Sequence, residues 1–290
     1  MPWSGRFSGL LSNGSWIKGI VMVGKELAFD PALGTLEKLY VRIFGAPISG
    51  LRIRFRRLMP QLRRLISTKS GQKAVSIVDI GCGTGLFTLE MAKELKEAQV
   101  VGLDNSEELI KANRAIADQA QIKNCRFELA DVLDLGTDHQ YDFAVCIDNL
   151  EHIEDDQRVI DNIHACLVQG GTALFHVPGL YRRWFFFTKQ VNFDVKGHVR
   201  PGYTQEQITD KIEKAGFTVT EAYYTYGWLE TVCNNISYLI TGADRRNKHL
   251  YALAFPVLNL LAFLGQWARP AWGAGVVVLA RKNGENHSKL

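Results

Sequence analysis

The sequence is poor in proline, with 8 in 290 residues, and no C-x-x-C occurs among its five cysteines. Cys82, Cys125, Cys146, Cys166 and Cys233 are odd in number and stand mostly in apolar runs, where a free thiol packs as a small hydrophobe. A disulfide scaffold is thereby excluded, and a reducing, cytoplasmic compartment is expected. Nor is there an uninterrupted stretch of about 20 apolar residues, the length that a membrane span needs. The run Leu250–Leu264 is shorter and is broken by Pro256 and Asn259, so no transmembrane helix is expected. The apolar patch Ile20–Val23 is hemmed in by Lys18 and Lys25 with no small-residue cleavage site after it, so no secretory signal is expected either. Charge of one sign is missing too: 34 Lys and Arg against 30 Asp and Glu leave +4, too mild to argue for nucleic acid. Nothing repeats, and 290 residues are ample for one elaborated domain.

What is present is a strand that runs into alternating glycines and then a helix, from Val78 to Phe87. Glycines at every second position, Gly81, Gly83 and Gly85, let the backbone take positive φ and approach a ligand closely. The first turn of the next helix offers unpaired N–H groups to the same ligand. A dinucleotide fingerprint would leave a two-residue gap before its third glycine, and this loop does not. Strand and helix patterns then alternate in the way that builds a parallel sheet. The second strand, Val100–Leu103, ends in Asp104, about 20 residues past the glycines, where a Rossmann-like fold places the acid that binds a ribose diol. The third, Arg126–Leu129, closes on Asp131 and Val132, and the fourth, Tyr141–Ile147, on Asp148, Asn149, Leu150, Glu151 and His152. A fifth strand is expected at Thr172–Gly179 after Gly170-Gly171 ends a helix, with His176 as a hydrogen-bonded core histidine. A sixth is expected at Thr218–Tyr224 and a last at Gly275–Lys282.

The run Asp79-x-Gly81-x-Gly83-x-Gly85, with acids after the second and third strands, resembles class I S-adenosyl-L-methionine (SAM)-dependent methyltransferases. Leu150-Glu151-His152-Ile153 narrows the resemblance to the small-molecule enzymes of the ubiquinone, menaquinone and sterol type, and the Asn/Asp-Pro-Pro-aromatic tetrad of adenine and glutamine N-methylating enzymes is absent. The resemblance implies a Rossmann-like seven-stranded, mostly parallel sheet with helices on both faces. It implies that Asp79, Gly81, Cys82, Gly83, Thr84 and Gly85 hold the amino-acid end of SAM, Asp104 and Asn105 the ribose, and Asp131 and Val132 the adenine. Asp148 and Asn149 would line the pocket near the sulfonium. Ubiquinone O-methyltransferases carry acid-x-x-Glu-His here and are thought to bind a divalent cation, which would make Asp148, Glu151 and His152 metal ligands. The competing role is catalysis without metal, with His152 as general base beside Glu151, or His198 as base beside Tyr203 in the stretch Gly197–Thr204.

The flanks speak to the acceptor. Residues 1–70 form an N-terminal cap in which Leu36–Ile66 interleaves Arg52, Arg54, Arg56, Arg57, Arg63 and Arg64 with apolar side chains. Two readings stay open: a basic amphipathic face on an anionic membrane, or an arginine-rich face solvated in water or paired with carboxylates of the same chain. Residues 71–225 and 273–283 make the core, 226–272 an apolar helical insertion, and 284–290 a polar tail. The loop Leu180–Phe187 is aromatic and basic. Together these predict O- or C-methylation of an apolar small molecule or lipid near a membrane. The alternatives are a soluble polar acceptor, with the apolar caps forming a dimer interface, and a SAM-binding protein without activity.

Overall fold

The computed structural model of the chain describes residues 23–67, 74–136, 140–184, 188–192, 197–242, 247–266 and 270–283. After a 3-10 turn at Lys25–Phe29, two helices, α1 (Thr35–Phe44) and α2 (Ser49–Ser67), precede the sheet. Then follow β1 (Val75–Ile80), α3 (Leu86–Glu94), β2 (Ala98–Asp104), α4 (Glu107–Gln119), β3 (Cys125–Leu129), β4 (Tyr141–Ile147), α5 (Asp156–Cys166) and β5 (Leu167–Pro178). The rest of the chain forms β6 (Tyr181–Trp184), β7 (Thr188–Val191), α6 (Gln205–Lys214), β8 (Phe217–Thr225), α7 (Trp228–Thr241), α8 (Lys248–Gly265) and β9 (Gly275–Lys282).

Seven strands pair in the order β3-β2-β1-β4-β5-β9-β8. The first five are parallel, and β9 runs antiparallel between β5 and β8. This is the expected Rossmann-like sheet. Its strands are apolar on both faces because both are covered. Val78 and Ile80 pack with Val159, Ile160 and Ile163 of α5 and Ile208 and Ile212 of α6. Ile77, on the opposite face by the two-residue period of a strand, packs with Leu58, Met59 and Leu62 of α2 and Phe87 and Met91 of α3. Strand order reverses between β1 and β4, which opens a crevice beyond their carboxyl ends.

The basic segment folds as two helices whose arginines are largely engaged within the chain. Gly45, at φ 71, and Pro47 split it into α1 and α2. The arginines of α2 turn toward the protein. Arg52 donates to the carbonyls of Ala46, at 3.0 Å, and Phe44, and lies over the Phe255 ring. Arg56 donates to Asn259 Oδ1 at 2.9 Å, and Arg57 grips Glu230 through Nε at 3.0 Å and Nη2 at 2.6 Å. Arg63 and Arg64 pair with Glu94 and Glu221. Four of the six arginines of α2 are thus engaged inside the chain, and Arg63 and Arg64 pair at its surface.

Two further expectations change. The stretch around Leu180–Phe187 is largely a hairpin, with β6 antiparallel to β7, and residues 185–187 lie outside the described residues. The run in the insertion is not broken: α8 continues for 18 residues through Pro256 and Asn259, long and apolar enough by length and composition alone to cross a membrane. A proline cannot donate to the carbonyl four residues back, here that of Ala252, and the Tyr40 hydroxyl of α1 donates to it at 2.7 Å instead. Arg56 satisfies Asn259. The two helix breakers are therefore the points at which α8 docks onto α1 and α2. Strand β5 also begins earlier than expected, at Leu167, with a register shift opposite Tyr141 and Phe143. Of the apolar patch Ile20–Val23 only Val23 is among the described residues, and it is buried; residues 20–22 and the C-terminal tail lie outside them.

Candidate functional site

The glycine loop joins β1 to α3 at the mouth of the crevice. Gly81, Gly83 and Gly85 all take positive φ, at 70, 53 and 66. A Cβ at Gly81 would come within 2.3 Å of the Asn149 side chain, and one at Gly85 within 2.7 Å of Asn113. At Gly83 a Cβ would meet nothing within 4 Å, so the space over that residue is open to a ligand. Gly85 caps α3 without a side-chain hydrogen bond, which leaves the first N–H groups of the helix available. The loop is tied down by Asp104, which accepts from Gly83 N at 2.8 Å through one oxygen and from Ser106 N at 3.0 Å through the other. Each carboxylate oxygen has a second lone pair, so Asp104 can still accept from ribose hydroxyls. Asn105 beside it is exposed.

A cavity of about 110 Å³ opens under the loop, lined by Asp79, Gly81, Cys82, Thr84, Phe87 and, from α2, Leu51 and Arg54. Asp79 is 3% exposed and accepts from Thr88 Oγ1 at 2.6 Å. Burial pushes its carboxyl up to about 7 against that hydrogen bond, and the charge of Asp104 adds to the rise. Asp131 and Val132 stand at the end of β3 and do not line this cavity; Asp131 is exposed and caps a 3-10 turn through Leu133 N at 2.9 Å.

Asp148, at the end of β4, has φ 48, a left-handed conformation that Asp tolerates better than most residues. Its Oδ1 lies 2.5 Å from His176 Nδ1, and its Oδ2 accepts from Arg54. Burial opposes ionisation of Asp148, but Arg54 and His176 outweigh it and hold the carboxyl at about 2. The other nitrogen of His176 lies 2.9 Å from Thr225 Oγ1, so this buried histidine is satisfied on both sides. Arg54 also donates to the Tyr226 hydroxyl at 3.3 Å.

A second cluster forms where the stretch after residue 197 folds over β4. Val199 N donates to Glu151 O at 2.9 Å, and Arg200 pairs with Asp156, so His198 is brought to His152, ring centres 4.5 Å apart. His152 Nδ1 is 2.9 Å from Gly197 O. A carbonyl only accepts, so Nδ1 carries a proton, and in the neutral ring the lone pair is on Nε2. Glu151 is 1% exposed with Oε2 buried and unpartnered, and burial, reinforced by the Asp148 charge, raises its carboxyl well above the usual range. Ligand atoms of Glu151, His152 and His198 lie within 4.8 Å of one another, a set that fits a divalent cation. Asp148, expected as a ligand with Glu151 and His152, is instead committed to Arg54 and His176. Tyr203, expected among the catalytic residues, is 3% exposed; its hydroxyl donates to Asp156 at 2.8 Å and accepts from Arg200 at 2.8 Å, so it anchors the loop. A second cavity, of about 280 Å³, adjoins this cluster and is lined by His198, Val199, Arg200 and Asn192.

The residues that sequence reasoning missed are Arg54, Thr225 and Tyr226. Arg54 was legible only as one cation among many in an amphipathic helix, and the other two carried no signal.

Comparison with known proteins fits this geometry. The methyltransferase domain family matches residues 72–217. Over 104 residues the sequence is 38% identical to a ubiquinone biosynthesis O-methyltransferase of Coxiella burnetii, covering 36% of this chain and 43% of that protein. It is 29% identical over 107 residues to the protein of the same name from Acinetobacter baylyi, covering 36% of this chain and 44% of the relative. The chain thus spans less than half the length of the curated relatives it matches. Among solved structures, a putative sarcosine dimethylglycine methyltransferase from Galdieria sulphuraria superposes with a TM-score of 0.56 at 12% identity, covering 86% of this chain and 97% of that one. The [4+2]-cyclase SpnF superposes with a TM-score of 0.52 at 16% identity, covering 82% and 98%. At such identities these structures share the fold alone. The family match covers just over half of the sequence, from before the glycine loop to the start of β8, and the chain belongs to the class I methyltransferase domain family, whose cofactor is S-adenosyl-L-methionine.

Proposed function

We propose that this protein transfers the methyl group of SAM to an oxygen of an apolar small molecule drawn from a membrane surface. The observation that carries the acceptor class is an apolar ridge on two adjoining helices. Leu36, Leu39 and Ile43 of α1 and Leu250, Leu253 and Val257 of α8 are each more than half exposed. The helices are joined through Tyr40 and by the Lys248–Glu37 ion pair. Exposed apolar residues this dense mark a contact surface. The likeness to proteins named ubiquinone biosynthesis O-methyltransferase supports oxygen as the acceptor atom.

In this reading Asp79 receives the ammonium of the cofactor, Asp104 its ribose diol and Asp131 with Val132 its adenine, while the open face of Gly83 lets the backbone approach. SAM supplies a sulfonium methyl that is already activated, so the chain's share is to hold the nucleophile in line with it and exclude water. As the acceptor oxygen bonds to the methyl carbon, the C–S bond breaks with its electron pair staying on sulfur. His152 Nε2 takes the hydroxyl proton, with the Nδ1–H to Gly197 fixing the tautomer. A divalent cation held by Glu151, His152 and His198 would occupy that Nε2 lone pair and, in place of the histidine base, would lower the acceptor hydroxyl's pKa.

The test is mass spectrometry of lipid and polar extracts incubated with the protein and deuteromethyl SAM. A labelled product in the lipid extract, lost in His152→Ala, is expected. Label confined to the polar extract would favour a soluble acceptor and leave the α1–α8 ridge as a contact between copies of the chain.

A further inference from the structure

We propose that Glu26 and Glu90 form a proton-operated clasp: with one proton between them they fasten the segment Val23–Phe29 onto α3, and loss of that proton releases it. The clasp is independent of the cofactor and of the acceptor.

The segment is a strap across three helices. Val23 packs with Leu51 and Phe55 of α2, and its carbonyl accepts from Ala46 N at 3.0 Å. Gly24, at φ 72, passes so close to the joint between α1 and α2 that a Cβ there would come within 2.5 Å of the Ala46 Cβ. At the other end Phe29 packs with Leu89 of α3 and with Ile110 and Ile116 of α4. Between these ends the hold is ionic. Glu90 Oε1 accepts from Gly24 N and, at 3.1 Å, from Lys93 Nζ, which also pairs with Glu26 Oε1 at 2.5 Å. Both carboxyls are buried, and Glu26 Oε2 is buried with no hydrogen-bond partner. Arg52 faces Glu90 from α2, but its guanidinium is turned to the carbonyls of Ala46 and Phe44. Two carboxylates would thus share one ammonium and leave a buried negative charge, which a folded chain avoids by taking up a proton. With that proton, one carboxylate faces one ammonium and the strap is held. Burial, against the pull of Lys93 and with the help of Glu26, raises the Glu90 carboxyl to about 7, so the pair changes state near neutral pH. The sign follows: the fastened state holds the proton more tightly than the released one, so the clasp is firm below the released value and weakens as pH rises to about 7.

The experiment is hydrogen exchange of the full chain at pH 6 and pH 8, read as protection factors so that the chemical exchange rate cancels. The reporting amides are those of Gly24, Leu27 and Ala46, which donate to Glu90, Gly24 and Val23. For a carboxyl moved from 4.5 to about 7, linkage predicts that their protection falls about tenfold between the two pH values. Glu90→Gln keeps an oxygen for Gly24 N and leaves Glu26 and Lys93 as a balanced pair, so its protection should change by less than about twofold. Glu26→Gln leaves Glu90 balanced by Lys93 and should flatten the profile in the same way. Amides of β4 report that each variant is folded and should not follow the strap. A flat wild-type profile, an unchanged tenfold fall in both variants, or a fall shared equally by β4 would each overturn the clasp.

Discussion

Asp79 lies in β1 and Asp148 just past the end of the neighbouring strand β4, yet their surroundings push them in opposite directions. Arg54 and His176 hold Asp148 as a carboxylate at about 2, so it keeps its charge at any working pH. Asp79 has only Thr88 and a buried environment, and its carboxyl rises to about 7. An ammonium ligand needs the ionised form, so below about pH 7 binding must first remove a proton and affinity falls as pH drops. S-adenosylhomocysteine should therefore bind more tightly at pH 8 than at pH 6, by up to about tenfold, with a plateau above. Asp79→Asn should bind weakly and without that slope. Titrations at a series of pH values check both, and a flat wild-type profile would reject the ammonium role for Asp79.

Helix α2 shows how one element serves core, cap and site together. Its apolar face covers the sheet with Leu58, Met59 and Leu62, its opposite side holds α7 and α8, and Arg54 projects between them toward the cavity. The grip on α7 is ionic: Glu230 is fully buried and receives both Arg57 and the backbone N–H of Gly227. Removing one partner of a buried pair strands the other charge, at a cost of about 3–5 kcal/mol. Urea denaturation of Arg57→Ala should show a destabilisation of that order, whereas Arg57→Met with Glu230→Met should recover much of it. A loss below about 1 kcal/mol in the single variant would mean that the pair behaves like an exposed one.

At the scale of the whole molecule, Arg52, Arg54, Arg56 and Arg57 are engaged inside the chain while Leu36, Leu39, Leu250 and Leu253 face outward, so attraction of the α1–α8 ridge to a bilayer would be apolar more than ionic. Liposome sedimentation should therefore persist in high salt, where ionic attachment is screened, and should be lost in Leu36→Glu with Leu253→Glu. Indifference to liposomes, with a dimer seen by analytical ultracentrifugation that the same double variant dissociates, would assign the ridge to a second copy. The ridge also shows where sequence reading stops. The glycine loop and the placing of Asp79 and Asp104 beside it were legible because both are local: positive φ demands glycine, and an acid at or near a strand end lies against the adjoining loop. The alternating strands determined the sheet for the same reason, since period and length are properties of a segment. The 3.6-residue period of α2 determined that it has an apolar face but not what covers that face, because a sheet and a bilayer ask for the same pattern. Only the tertiary structure turned Arg54 into the cavity, joined His198 to His152 and gave the carbonyl orphaned by Pro256 to Tyr40, because each of these contacts joins residues that the sequence keeps far apart.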